Sequence, residues 1–164
     1  MFDTVVVATD GSESVERAVE VGIDLAARFG ADVHALSVVD ASEVDASPEQ
    51  LREEFRTALE THAEGALSSV RDEAGPGITT AVREGRPAPE IVTYAREQDA
   101  DLIVTGTRGR HGENRLLLGS VAERVVRTSP IPILTVRQLP DADGEHENEH
   151  EHEGSAAGSG QATS

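Results

Sequence analysis

The chain contains no cysteine, no lysine and no tryptophan in its 164 residues. Without cysteine there is neither a disulfide framework nor a thiolate metal site, so the fold must close on its own core. Aromatics amount to three Phe and one Tyr, which leaves Val, Leu, Ile and Ala to pack the interior. No apolar run approaches the ~20 residues of a membrane-spanning helix. The amino-terminal MFDTVVVATDGS also lacks a basic leader pattern, and the expectation is a cytoplasmic chain without a membrane partner. Missing lysine makes all 14 basic residues Arg, set against 31 Asp and Glu for a net charge of −17.

That charge is spread through the chain. Seven of the 31 acids lie in residues 138–164, leaving 24 against 14 Arg in residues 1–137. A surface this negative offers no basic footprint for nucleic acid or anionic lipid. An acid-rich, lysine-free composition resembles that of halophilic cytoplasmic proteins, where a Debye length of ~3 Å at molar salt screens self-repulsion.

What is present alternates strand and helix. TVVVAT, residues 4–9, is a β-branched run of the kind covered on both faces. A helical stripe follows through Val15, Ala18, Val19, Gly22, Leu25, Ala26 and Phe29, capped by Ser12 or Ser14 and closed by Gly30. DVHALSVVD, residues 32–40, reads as a second strand. Ser47, Pro48 and Glu49 then open a long helix with Leu51, Phe55, Ala58, Leu59, Ala66 and Val70 on one face. ITTAVRE (78–84), DLIVTG (101–106) and IPILTVR (131–137) supply three more strands. Between them run a helix to about Gln98 and another over 120–128.

Five strands separated by four helical stretches predict βαβ units, hence an open doubly wound α/β fold with a five-stranded parallel sheet and helices on both faces. Pro130 and Pro132 suit an edge strand. An edge as apolar as ILTV invites pairing with a second copy, so a homodimer through residues 131–136, from Ile131 at the entrance to Val136 at the exit, is expected. The domain is expected over 1–138, followed over 139–164 by an acidic His/Glu- and Gly/Ser-rich tail too poor in apolar residues to order itself.

One segment departs from the acidic background. GTRGRHGENRLLLGS, residues 106–120, holds four glycines and three arginines between a strand exit and a helix start. In open parallel sheets ligands sit beyond the carboxyl ends of the strands. There Gly106 and Gly109 admit close backbone approach to an anion, while Gly119 and Ser120 stand at a helix N-terminus whose N–H groups favour negative charge. Arg108, Arg110 and Arg115 are candidate phosphate partners. His111 reads as an exposed loop residue, and His34 and His62 as structural or solvated. The Walker pattern GxxxxGK[ST] is absent, as are any GxSxG elbow and any catalytic base paired with an orienting partner.

The spacing of Gly106, Gly109, Gly119 and Ser120 reproduces GxxGx9G[ST], the nucleotide loop of universal stress proteins. Together with VVVATDGS, SVVD, ADLIVTGTRGR and GSVAERVVRTSPIPILTVR, it makes the chain resemble that family from about residue 2 to 137. The resemblance implies a sheet in the order 3-2-1-4-5 and ATP, AMP or ADP bound at the strand ends, with Mg2+ accompanying a triphosphate. By it, Asp10 lies beside the nucleotide, Ala8 and Thr9 near the adenine, and Val38 in the base pocket. Gly106, Gly109, Gly119, Ser120 and Val121 hold ribose and phosphates. Ala8 stands where the family commonly has Pro. Asp10 is suited to a ribose hydroxyl, to a metal or to capping the first helix. The function expected is a homodimeric, nucleotide-dependent sensor or regulator acting on a protein partner. A slow Mg-dependent ATPase or phosphotransferase, and a scaffold with an idle pocket, are the alternatives.

Overall fold

The computed structural model describes residues 2–108 and 118–139. Its strands are β1 (Thr4–Ala8), β2 (Asp32–Asp40), β3 (Thr79–Gly85), β4 (Leu102–Gly106) and β5 (Ile133–Val136), all parallel in the order β3-β2-β1-β4-β5. The helices are α1 (Glu13–Phe29), α2 (Ala41–Ala46), α3 (Arg52–Ala74), α4 (Pro87–Glu97) and α5 (Ser120–Thr128).

β1 shows why a continuous β-branched run belongs at the centre of such a sheet. Val5, Val6 and Val7 are all fully buried, because successive side chains enter opposite layers. Val5 and Val7 join Ala18, Val19 and Ala26 of α1 and Leu67 and Val70 of α3. Val6 and Ala8 join Ala88, Ile91 and Tyr94 of α4 and Val125 of α5. Thus the chain leaves β1 toward one face and β4 toward the other, and the crevice between their carboxyl ends is the switch point at which such sheets bind ligands.

Three expectations need correction. The connection from β2 to β3 holds two helices rather than one: Asp40 caps α2 by accepting the Ser42 N–H at 2.9 Å, and Val44 is buried against Val39 and Ala63. The helices therefore number five among the described residues rather than four. The long third helix begins at Arg52 after a separate turn at Glu49–Leu51, and its first turns do not bury the predicted face, since Leu51, Phe55 and Ala58 are exposed. A 23-residue helix spans about 35 Å, whereas the seven residues of β3 span about 23 Å. The helix outruns the sheet; Ala63, Leu67 and Val70 are buried and Leu59 packs partly buried against the core. Finally, Phe29 closes α1 half-exposed, edge-on to Phe2 at 5.1 Å.

Candidate functional site

Beyond the carboxyl ends of β1, β2 and β4 lies a cleft of about 300 Å³. β1 makes its last sheet bond when the Thr9 N–H donates to the Leu36 carbonyl at 2.9 Å. The chain then turns away through Asp10 and Gly11, the latter at φ +73°. Asp10 Oδ1 accepts from both the Ser12 N–H (3.0 Å) and the Ser12 hydroxyl (2.6 Å). Ser12 occupies the N-cap position of α1 but makes no side-chain cap bond; its hydroxyl is committed to Asp10.

β2 continues where β1 stops. Its pairing with β1 ends at Leu36, while its pairing with β3 runs on to Asp40. Because N–H and C=O of alternate residues point to alternate sides of a strand, Val38 shares the orientation of Leu36. It aims one donor and one acceptor into the space that β1 has vacated.

On the other wall, β4 passes into α5. Thr107 donates its N–H to the Val136 carbonyl at 3.0 Å, and its own carbonyl accepts the Gly119 N–H. The first intrahelical bond of α5 joins the Glu123 N–H to the Gly119 carbonyl at 2.8 Å, and Gly119 supplies no side-chain cap. The amides of Ser120, Val121 and Ala122 thus lack intrahelical partners, and these three residues line the cleft. They form a positive dipole end and a set of donors suited to an anion.

The structure brings Ala8, Thr9, Asp10, Val38, Gly106, Arg108, Gly119, Ser120 and Val121 onto this one cleft. Gly109, Arg110, His111 and Arg115 lie outside the described residues, as does the tail from residue 140. Two glycines have roles beyond those expected. A Cβ on Gly106 would stand 2.8 Å from Val15 Cγ1 and 3.1 Å from the Ser14 carbonyl, so its smallness also admits α1. The Gly119 amide is spent on Thr107 and is not a donor to the cleft. His62 is not simply solvated: its Nε2 lies 3.1 Å from the Asp10 carbonyl. His34 does have a structural partner, its Nδ1 lying 3.1 Å from the Tyr94 hydroxyl, a phenol whose pKa burial pushes up.

Sequence reasoning missed the far end of the cleft. Asp40 and Glu43 line it beside Leu59, Ala63 and Ile91, giving an apolar floor with carboxylates at one end and α5 amides with Arg108 at the other. The Asp-x-Ser start of α2 was the available signal. Among the described residues there is no cluster of three or more metal-ligating side chains, and no helix is long and apolar enough to cross a membrane.

Comparison with known proteins agrees with this architecture. Residues 1–137 match the model of the Universal stress protein family. A universal stress protein of Methanocaldococcus jannaschii is 40% identical over 147 residues, covering 84% of each chain. The solved universal stress protein of Lactobacillus plantarum superposes with a TM-score of 0.72 at 27% identity, covering 83% of this chain and 98% of that one. A universal stress protein solved in complex with cAMP gives 0.61 at 28% identity, over 83% and 97%. The chain belongs to the universal stress protein family.

Proposed function

We propose that the cleft binds an adenine nucleotide, ATP or its AMP or ADP counterpart, and that the protein is a homodimeric sensor or regulator whose nucleotide state alters its surface for a protein partner. The observation that carries this reading is the convergence on one cleft of the uncapped α5 N-terminus, Asp10 and the Val38 peptide. Phosphates suit the α5 amides, Ser120 and Arg108. A sugar hydroxyl suits the Asp10 carboxylate, and a base that offers both a donor and an acceptor on one edge suits Val38. The relative solved with cAMP supports the same ligand class.

Mg2+ fits as a companion of the triphosphate rather than as a resident ion. It is usually held by one or two carboxylates together with phosphate oxygens, and Asp10 is a carboxylate on the lining that would serve where it is not on a sugar hydroxyl. When bound, the ion neutralises phosphate charge. Binding rather than turnover is the function assigned, since the groups described at the cleft suit the holding of phosphate, sugar and base.

The test is thermal melting in multimolar KCl, which suits the acidic surface, with and without Mg-ATP. Saturation at ~100 Kd stabilises by about 2.7 kcal/mol, and a shift of that order is expected. Absence of any shift, together with no adenine compound released on denaturing the purified protein, would sink the proposal.

A further inference from the structure

The end of the cleft away from α5 is framed by the last residues of β2. Val38 and Asp40 stand two positions apart on that strand, about 7 Å, and both line the cleft. β2 stays paired with β3 as far as Asp40 opposite Gly85, so the strand is still regular where the carboxylate leaves it.

That carboxylate is held in one orientation. Asp40 is the N-cap of α2, and its Oδ1 accepts both the Ser42 N–H at 2.9 Å and the Ser42 hydroxyl at 2.6 Å. α2 is fixed in turn by Val44, buried against Val39 and Ala63. Both Ser42 bonds fall on Oδ1, and among the described residues none donates to Oδ2.

Chain direction decides what meets this oxygen. Along a strand the N–H of a residue precedes its C=O, so the Val38 donor lies toward Ser37 and the Val38 acceptor toward Val39 and Asp40. A base that accepts from that N–H and donates to that C=O turns its amino group toward Asp40. In adenine this is the 6-amino group, whether N1 or N7 meets the N–H. One of its protons goes to the Val38 carbonyl, and the second is left on the side of the carboxylate. A 6-oxo base has only lone pairs to offer there.

We propose that Asp40 is a specificity-determining residue of the cleft, its Oδ2 accepting the second 6-amino proton of a bound adenine and repelling the 6-oxygen of hypoxanthine or guanine. This rests on the nucleotide reading above. An ionised carboxylate accepts and cannot donate, so the two bases are separated by attraction on one side and repulsion on the other. The same negative charge keeps phosphates away from this end and leaves them to α5 and Arg108.

The experiment is calorimetric titration of the full chain, Asp40→Asn and Asp40→Ser with the Mg complexes of ATP, ITP and purine riboside triphosphate, which carry an amino group, an oxygen and a hydrogen at position 6. Asn and Ser cap helices about as well as Asp, so thermal melts of the variants should match the parent within a few degrees. In Asp40→Asn the Ser42 donors hold the amide oxygen, which puts the NH2 group where Oδ2 stood. The unaltered chain is expected to prefer ATP to ITP, and Asp40→Asn to cut that preference about tenfold or more, with ATP weakened and ITP strengthened relative to purine riboside triphosphate. Asp40→Ser, which removes the carboxylate without supplying a donor, should cut it by less. A ratio unchanged within about twofold in both variants, or equal changes for ATP and purine riboside triphosphate, would overturn the role of Asp40 while leaving nucleotide binding intact. Failure of the unaltered chain to bind Mg-ATP would overturn the nucleotide reading itself.

Discussion

The Gly119 N–H donates to the Thr107 carbonyl at 2.6 Å, pinning together the two ends of the arginine- and glycine-rich segment between β4 and α5. The last glycine of that segment is thereby a staple, and the donors facing the cleft pass to the first turn of α5. Ser120 is the first residue of that helix, where proline is favoured because its missing N–H has no helical partner to lose. Gly119 already holds the extended conformation, φ −64° and ψ 153°, that a following proline demands.

Ser120→Pro should therefore leave the melting temperature nearly unchanged while removing one amide and one hydroxyl from the cleft. Nucleotide affinity is expected to fall about tenfold or more, and Ser120→Ala, which removes only the hydroxyl, should fall less. Titration of both variants checks this. Equal affinity for Ser120→Pro and the unaltered chain would show that the α5 N-terminus does not contact ligand.

Gly22 sets the approach of α1 to the sheet. A Cβ there would stand 2.7 Å from Val7 Cγ2 and 3.4 Å from Val104 Cγ1, and both valines are fully buried. Alanine in mid-helix gains about 1 kcal/mol of propensity over glycine, but overpacking a closed core costs about 1–3 kcal/mol. Gly22→Ala is expected to be net destabilising, lowering the melting temperature by a few degrees. A higher melting temperature would mean that α1 lifts away at little cost.

Asp101 ties the entrance of β4 to the start of β1. Its Oδ2 accepts the N–H of Asp3 at 2.8 Å and of Thr4 at 3.1 Å, and those backbone bonds, Asp3 first, hold its carboxyl below the ordinary Asp value. A lowered folded pKa means that the unfolded chain binds more protons in mild acid, so stability rises with pH there. The contribution is complete above the unfolded value of about 3.9 and is lost as pH falls through the lower folded value. Urea midpoints of the unaltered chain and Asp101→Ala should differ at pH 7 and converge as the pH drops below about 4. A gap independent of pH would refute the assignment.

The sheet was legible because buried parallel strands are written as contiguous β-branched runs, and TVVVA and LIVTG sit on β1 and β4. The strand exits were legible too, which is why the chosen residues outside the undescribed stretch line a single cleft. Local pattern did not carry length mismatch: Phe55 keeps helical spacing in the first turn of α3, a helix longer than β3, yet stays exposed. Nor did it carry the use of each backbone group. Gly119 and Gly106 read alike as open glycines, yet one amide is spent on Thr107 and the other residue makes room for Val15. The His62 contact spans 52 residues and has no local signature at all.

The dimer expected through the last strand has a backbone test. Ile103 donates to the Pro132 carbonyl and Thr107 to the Val136 carbonyl, so even-numbered residues of β5 face β4, and the N–H groups of Ile133 and Thr135 face the open edge. Proline at an outward position costs no ladder bond within the sheet. Thr135→Pro should accordingly keep the far-UV spectrum and cooperative melt of the parent while converting a dimer to a monomer in sedimentation or size-exclusion measurements. Leu134→Glu, at a half-buried position packed on the core, should also give monomer but with lower stability. A Thr135→Pro protein that remains dimeric would place the contact between copies elsewhere than on the β5 edge.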